Sequence, residues 1–183
     1  LISVKSGKTV TKNRKQIDRI KSIAIFDDGS GMEKDVLARC LSLGWGTAEN
    51  ESNKLGKFGF GLKGASISMA ERIDIYSWQE RDKIFHTYLD YDEIDKNNSL
   101  EIPEPTPKKK AYINNVFLKN GKLSDSGTLI IWSNLDEYRL IPKQADTLVT
   151  HMENDMCRIF RHFLDDNNNL GHRVNIDVQL LDQ

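Results

Sequence analysis

Hydrophobic and polar residues alternate along much of this chain with a period of two, and the places where that period changes divide it into elements. Residues 1–5 read as a strand, 7–18 as a polar excursion and 22–26 (Ser-Ile-Ala-Ile-Phe) as a strong strand, which together predict a hairpin. Over 33–43 the period becomes helical: Val36, Leu37, Cys40 and Leu41 share one face behind Glu33 and Asp35, whose charges suit a helix N-terminus. Residues 44–60 are polar, glycine-rich and aperiodic and read as a mobile loop. The small residues of 62–69 predict a closely packed, buried helix behind it. Residues 72–78 and 83–90 alternate as two strands joined by a turn at 79–82. Pro103, Pro105 and Pro107 make 97–110 an extended surface excursion, unsuited to chemistry. A strand over 128–132 follows the Ser126-Gly127 turn. A long helix over 143–164, a polar loop over 165–171 and a last strand over 174–180 complete the pattern. No internal repeat is present, and the fold class is α+β.

Composition narrows the class without naming a function. A chain of 183 residues, 38% hydrophobic and 29% charged, can bury the core of a globular domain. Its 26 Lys and Arg nearly balance 27 Asp and Glu, so no global field recruits nucleic acid or a membrane surface, and the Lys108-Lys109-Lys110 run reads as a solvated loop. No apolar stretch reaches the length of a membrane span, and the residues after Leu1 lack the basic and apolar regions of a signal peptide. A soluble, cytoplasmic protein is therefore expected. Cys40 and Cys157 lie in helical patterns with neither metal spacing nor a disulfide framework, and are expected to be buried thiols.

The chemistry concentrates in two glycine signatures about thirty residues apart. Asp27-Asp28-Gly29-Ser30-Gly31-Met32 closes the strand over 22–26, and Gly56-Lys57-Phe58-Gly59-Phe60-Gly61-Leu62-Lys63 opens the helix over 62–69. A third element, Gly127-Thr128, starts a later strand. In this order the three resemble the GHKL superfamily of gyrase, heat-shock chaperones, histidine kinases and MutL: its D-x-G-x-G motif, its second glycine box and its late G-T element. The run from Gly56 to Ser66 and the sequence Trp132-Ser133-Asn134-Leu135-Asp136 are most similar to the chaperone-like and MORC-like branch. The resemblance covers roughly residues 22–136. It implies a Bergerat-type ATP-binding fold, a two-layer α/β sandwich with a mixed, mostly antiparallel sheet and helices on one face. Residues 1–142 would form the ATP-binding domain, and 143–183 would complete it or begin a transducer region.

The residue types suit that role. Asp27, at the end of a buried strand, can accept a hydrogen bond from an exocyclic amine, which adenine has and guanine lacks at that position. Gly29 and Gly31 remove side chains where the backbone must turn and pass close beneath a flat base, which Met32 could pad. Gly56, Gly59 and Gly61, with Phe58, Phe60 and Leu62 between and after them, would let successive N–H groups face the phosphates of ATP or ADP at a helix N-terminus. Lys63 and Lys57 could add charge-assisted contacts to phosphate oxygens, and the Thr128 hydroxyl could reach the base directly or through water.

Each feature has a plainer reading. Asp-Gly pairs form ordinary turns, glycine-rich loops serve as flexible connections, Thr128 suits any strand and Lys63 any solvated helix face. The combination is what favours a nucleotide. Gly59-Phe60-Gly61-Leu62-Lys63-Gly64 also fits the dinucleotide pattern, but the polar residues 49–57 cannot be the first strand of a βαβ unit. A P-loop fails because Phe58 follows Gly56-Lys57 where Ser or Thr is required. His151, His162 and His172 with Cys157 lack metal spacing. Tyr112, Phe117, Trp132 and Tyr138 read as core, so nucleic acid is not indicated.

The superfamily's enzymes carry, on a helix before the D-x-G-x-G strand, a Glu that activates water and an Asn or Asp that holds Mg²⁺. Residues 1–26 show no such helix, which implies that the chain starts just after it, and no catalytic residue is assigned here. Glu49, Glu51 and Glu71 are acids of a loop or strand edge with nothing to fix their geometry. The resemblance thus implies adenine nucleotide as ligand, with Mg²⁺ in the full-length protein, closure of residues 44–60 over it, and a possible homodimer formed through the parent chain. A regulatory module that binds without hydrolysis and a histidine kinase catalytic domain are the alternatives.

Overall fold

The computed structural model describes residues 1–10, 14, 16–42, 61–99, 101–109, 113, 123–136, 142–165 and 174–181. Among the described residues seven strands form one sheet: β1 (Ile2–Val10), β2 (Gln16–Asp27), β3 (Ala70–Trp78), β4 (Ile84–Asp90), β5 (Thr106–Lys108), β6 (Gly127–Leu135) and β7 (Val178–Leu181). Their order across the sheet is β5-β4-β3-β6-β2-β1-β7. Every neighbouring pair is antiparallel except β1 and β7, which run parallel with Ile2 opposite Val178 and Lys5 opposite Leu181. The described helices are α1 (Lys34–Arg39), α2 (Gly61–Met69), α3 (Tyr91–Asn97), α4 (Ala145–Ile159) and α5 (Arg161–Leu164). This is the mixed, mostly antiparallel sheet of the expected α+β class.

Register decides which residues face the helices. Ile23 and Ile25 of β2 lie opposite Trp132 and Ile130 of β6, which lie opposite Ile73 and Ile75 of β3. This row packs against Leu37 of α1, Leu62 and Met69 of α2, Tyr91 and Ile94 of α3, and Ala145 and Leu148 of α4. Alternate positions point the other way: Ala24, Phe26, Leu129, Ile131, Tyr76 and Trp78 form a second core with Ile84, Ile113 and Leu123. Trp78, Ile113 and Ile84 are essentially inaccessible to solvent, so this end of the sheet is covered on both faces.

Beyond that second core, the same face carries a polar network. The Arg72 guanidinium donates to both oxygens of Asp74 (2.9 and 3.0 Å) and to Asp90 (2.7 Å). His86 Nε2 lies 2.8 Å from Asp74 Oδ1, with its ring stacked between Tyr76 and Tyr88.

Several expectations need correction. Residues 7–10 and 16–18 are strand rather than an excursion, with Lys8 opposite Asp18, so that opposite charges face each other across the polar arm. The register slips between Lys5 and Ser6, leaving Lys21 as an extra residue. Ile20 and Ile23, three apart, therefore both reach the helical face. Helix α3 was not predicted: Asp90 caps it by accepting the Asp92 and Glu93 N–H groups (3.0 and 3.3 Å), and Asn98 ends it with φ 47°. The Pro-rich excursion contains β5, which pairs with the edge of β4. Helix α2 is not buried. Ser66 is inaccessible, but Gly64 and Ala65 are exposed and a Cβ on Gly64 would touch nothing within 4 Å, because the sheet covers one side only. The long helix is two, broken at Phe160 (φ −98°, ψ 14°), and the last strand spans four residues. Cys157 is exposed on the outer side of α4, and Cys40 is half-buried. No described helix is long and apolar enough to cross a membrane.

Candidate functional site

Three neighbouring strands bring polar side chains to one end of the helical face. Asp27 is the last residue of β2, Thr128 of β6 lies opposite it, and Ser77 of β3 lies opposite Thr128. Because 23, 25 and 27, like 128, 130 and 132, and 73, 75 and 77, are alternate positions, all three residues continue the rows of Ile and Trp that pack the helices. The core row thus becomes a polar row where β2 leaves the sheet.

The loop after β2 is held to this row at each step. Asp27 Oδ1 accepts the Gly29 N–H at 3.0 Å, an Asx turn that fixes the carboxylate. No hydrogen bond to Oδ2 occurs among the described residues, and the side chain is exposed. Crowding of the carboxyl by protein raises its pKa above the ordinary carboxylate value; the Gly29 N–H works against that shift and the neighbouring Asp28 charge adds to it. A Cβ on Gly29 would sit 2.8 Å from Asp27 Oδ1, so this glycine keeps the space beside the carboxylate clear. Gly31 has φ +69°, and its missing Cβ would overlap the Trp78 carbonyl oxygen and approach Gly127 O at 3.2 Å. Its backbone is therefore seated against the sheet end itself. Met32 N–H then donates to Ser77 Oγ at 2.8 Å, and the Met32 side chain packs toward Leu37 and Ile73. Gly127 completes the seat, since a Cβ there would overlap the Asp27 carbonyl oxygen.

Of the residues that the sequence singles out, Asp27, Gly29, Gly31, Met32 and Thr128 come together in this way. Gly61 begins α2, and Leu62 packs in the core beside Ile73 and Ile75; Gly56, Lys57, Phe58, Gly59 and Phe60 lie outside the described residues. Trp132 sits in the core and donates its indole N–H to the buried Ser66 hydroxyl at 2.9 Å, tying α2 to β6. His151 and His162 are exposed and Glu71 is solvated on β3; His172, Glu49, Glu51, Tyr112, Phe117 and Tyr138 lie outside the described residues. Among the described residues, no group of three or more His, Cys, Asp or Glu is placed to hold a metal.

Sequence reasoning missed Ser77. Its signal was a polar residue at the core-facing position of 73, 75 and 77, between Tyr76 and Trp78, directly after Ile73 and Ile75 at the same parity.

The arrangement suits an adenine base. A carboxylate with one oxygen committed to Gly29, and the other without a hydrogen bond among the described residues, can accept from an exocyclic amine, and the glycine beside it leaves room for a flat ring. No curated protein matches the chain at a significant level. The family of histidine kinase-, DNA gyrase B- and HSP90-like ATPases matches residues 4–128, which span β1 to the start of β6 and include the entire Asp27 loop, and the chain belongs to this ATP-binding family.

Proposed function

We propose that this chain is the ATP-binding core of a chaperone-like or MORC-like ATPase, in which bound nucleotide draws residues 44–60 closed and passes that state on to other parts of the protein, including a second copy. The observation that carries the adenine assignment is the Asp27 carboxylate, fixed by Gly29 at the end of β2 and opposite Thr128. Phosphate binding is assigned to Gly56, Lys57, Gly59, Gly61 and Lys63, on the strength of the glycine spacing ahead of α2. Mg²⁺ enters this reading with the phosphates. Chaperone-like closure is supported by the composition of 44–60 and by the run from Gly56 to Ser66. A ligand can drive closure only by binding the closed form better than the open one.

The test is calorimetric titration of the chain with ADP and Mg²⁺ beside Asp27→Asn. Wild type is expected to bind and the variant to lose about tenfold or more, the value of one hydrogen bond to a charged group. Absence of binding by wild type removes the assignment. Hydrogen exchange over 44–60 that does not slow at saturating nucleotide would remove the closure alone.

A further inference from the structure

The Ser77 hydroxyl is fully buried and has three polar neighbours: Met32 N at 2.8 Å, Gly127 O at 3.1 Å and Thr128 Oγ1 at 3.1 Å. A hydroxyl has one proton to give and two lone pairs to offer. Met32 N can only donate, so it occupies one lone pair. Gly127 O can only accept, so it requires the proton. Thr128 must then spend its own proton on the second lone pair of Ser77. The opposite choice, Ser77 donating to Thr128, would set a Ser77 lone pair against the Gly127 oxygen where no water reaches. One arrangement satisfies all three contacts, and in it Thr128 Oγ1 has only lone pairs left.

We propose that Ser77 is a positioning residue that fixes the hydrogen-bonding sense of Thr128, so that Thr128 meets the base as an acceptor and, with Asp27, selects a 6-amino over a 6-oxo purine nucleotide. This rests on the nucleotide-binding reading of the site. The Asp27 carboxylate is also an acceptor, with Oδ1 already engaged by Gly29. Two acceptors on neighbouring strands match the two N–H groups of an exocyclic amine and face a 6-oxo group with like polarity. A Thr128 released from Ser77 could turn its proton outward and donate to the 6-oxo group. Selectivity thus depends on a side chain that does not itself touch the ligand.

Dissociation constants for ADP and inosine diphosphate, measured with Mg²⁺ by calorimetry, test this on wild type, Ser77→Ala, Thr128→Val and the double variant. Wild type is expected to prefer ADP. Ser77→Ala should lower the ADP-to-inosine-diphosphate preference about tenfold, and should lower it no further in the Thr128→Val background. A residue that merely packs the sheet would weaken both nucleotides by one factor, and a preference unchanged in Ser77→Ala overturns the inference while leaving ADP binding intact. If Ser77→Ala does not fold, as judged by circular dichroism, Ser77→Cys takes its place: its shape is preserved and its thiol is a weaker donor, so an intermediate preference is expected and an unchanged one overturns the proposal. Wild type that binds neither nucleotide overturns the nucleotide reading, and this inference with it.

Discussion

Gly29 and Gly31 stand two positions apart and are glycine for different reasons. At Gly29 the obstacle to a side chain is the movable end of Asp27, whereas at Gly31 it is the fixed carbonyl of Trp78, compounded by φ +69°. Gly29→Ala should therefore leave the fold within about 1 kcal/mol of wild type while pushing the carboxylate aside and weakening ADP binding at least tenfold. Gly31→Ala should cost about 3 kcal/mol or more, since neither the backbone angle nor the Trp78 carbonyl can give way. Urea denaturation beside an ADP titration separates the two, and equal stability losses would contradict the assignment. Asp27, Gly29 and Gly31 were legible in the sequence because turn chemistry is local, carried by a carboxylate and the N–H two residues on. Ser77 was not, because its partners Met32 and Gly127 are 45 and 50 residues away and only strand register brings them together.

At the scale of elements, β3 and β4 carry hydrophobic side chains toward the helices and ionic ones on the opposite face, within one hairpin. Burial raises the pKa of Asp74, but hydrogen bonds from His86 and Arg72, and their charges, outweigh it and hold the carboxyl below the ordinary value. A carboxyl with a depressed folded-state pKa contributes stability that is present above its unfolded pKa of about 3.9 and lost as pH falls through the folded value. Asp74→Asn should thus destabilise the chain by about 2 kcal/mol at neutral pH, with the deficit shrinking as pH falls below about 4. Thermal melts across pH 3–7 check this, and a pH-independent difference would contradict it. The strands themselves were readable because their alternation is strict, as Ile73, Ile75 and the row beyond them show. Helix α3 was hidden by its shortness: Asp90 with Glu93 is a capping signature, but only Tyr91 and Ile94 give it an apolar side. The break at Phe160 has no breaker residue in the sequence, since neither Gly nor Pro occurs between 142 and 171.

For the whole molecule, the last described strand matters more than its four residues suggest. β7 covers the outer edge of β1, and α4 lays Ala145 and Leu148 over Ile2, Val4, Ile20 and Ile23. Ending the chain at residue 142 would bare this apolar patch together with the Ile2–Lys5 edge of β1 that β7 pairs, a template for pairing with other chains. Such a truncation is expected to be insoluble or to self-associate, and size-exclusion chromatography of the 1–142 fragment checks it; a monomeric, cooperatively melting fragment would show that 143–183 is dispensable to the sheet. The sequence left that segment ambiguous because a parallel pairing between first and last described strands has no local signature: no turn joins them, and 167 residues lie between the end of β1 at Val10 and the start of β7 at Val178. The parallel pairing also governs how the protein can be handled. The start of β1 lies against the end of β2, with Ile2 opposite Ile25 and the Leu1 carbonyl accepting the Phe26 N–H, whereas β7 ends beside Lys5, further along the sheet. A purification tag or fluorophore joined ahead of Leu1 would emerge next to the Asp27 loop and compete with the ligand for space, while one placed after residue 183 would leave from the other end of that strand pair. The choice of terminus for immobilisation therefore decides whether a binding experiment reports on the pocket or on the label.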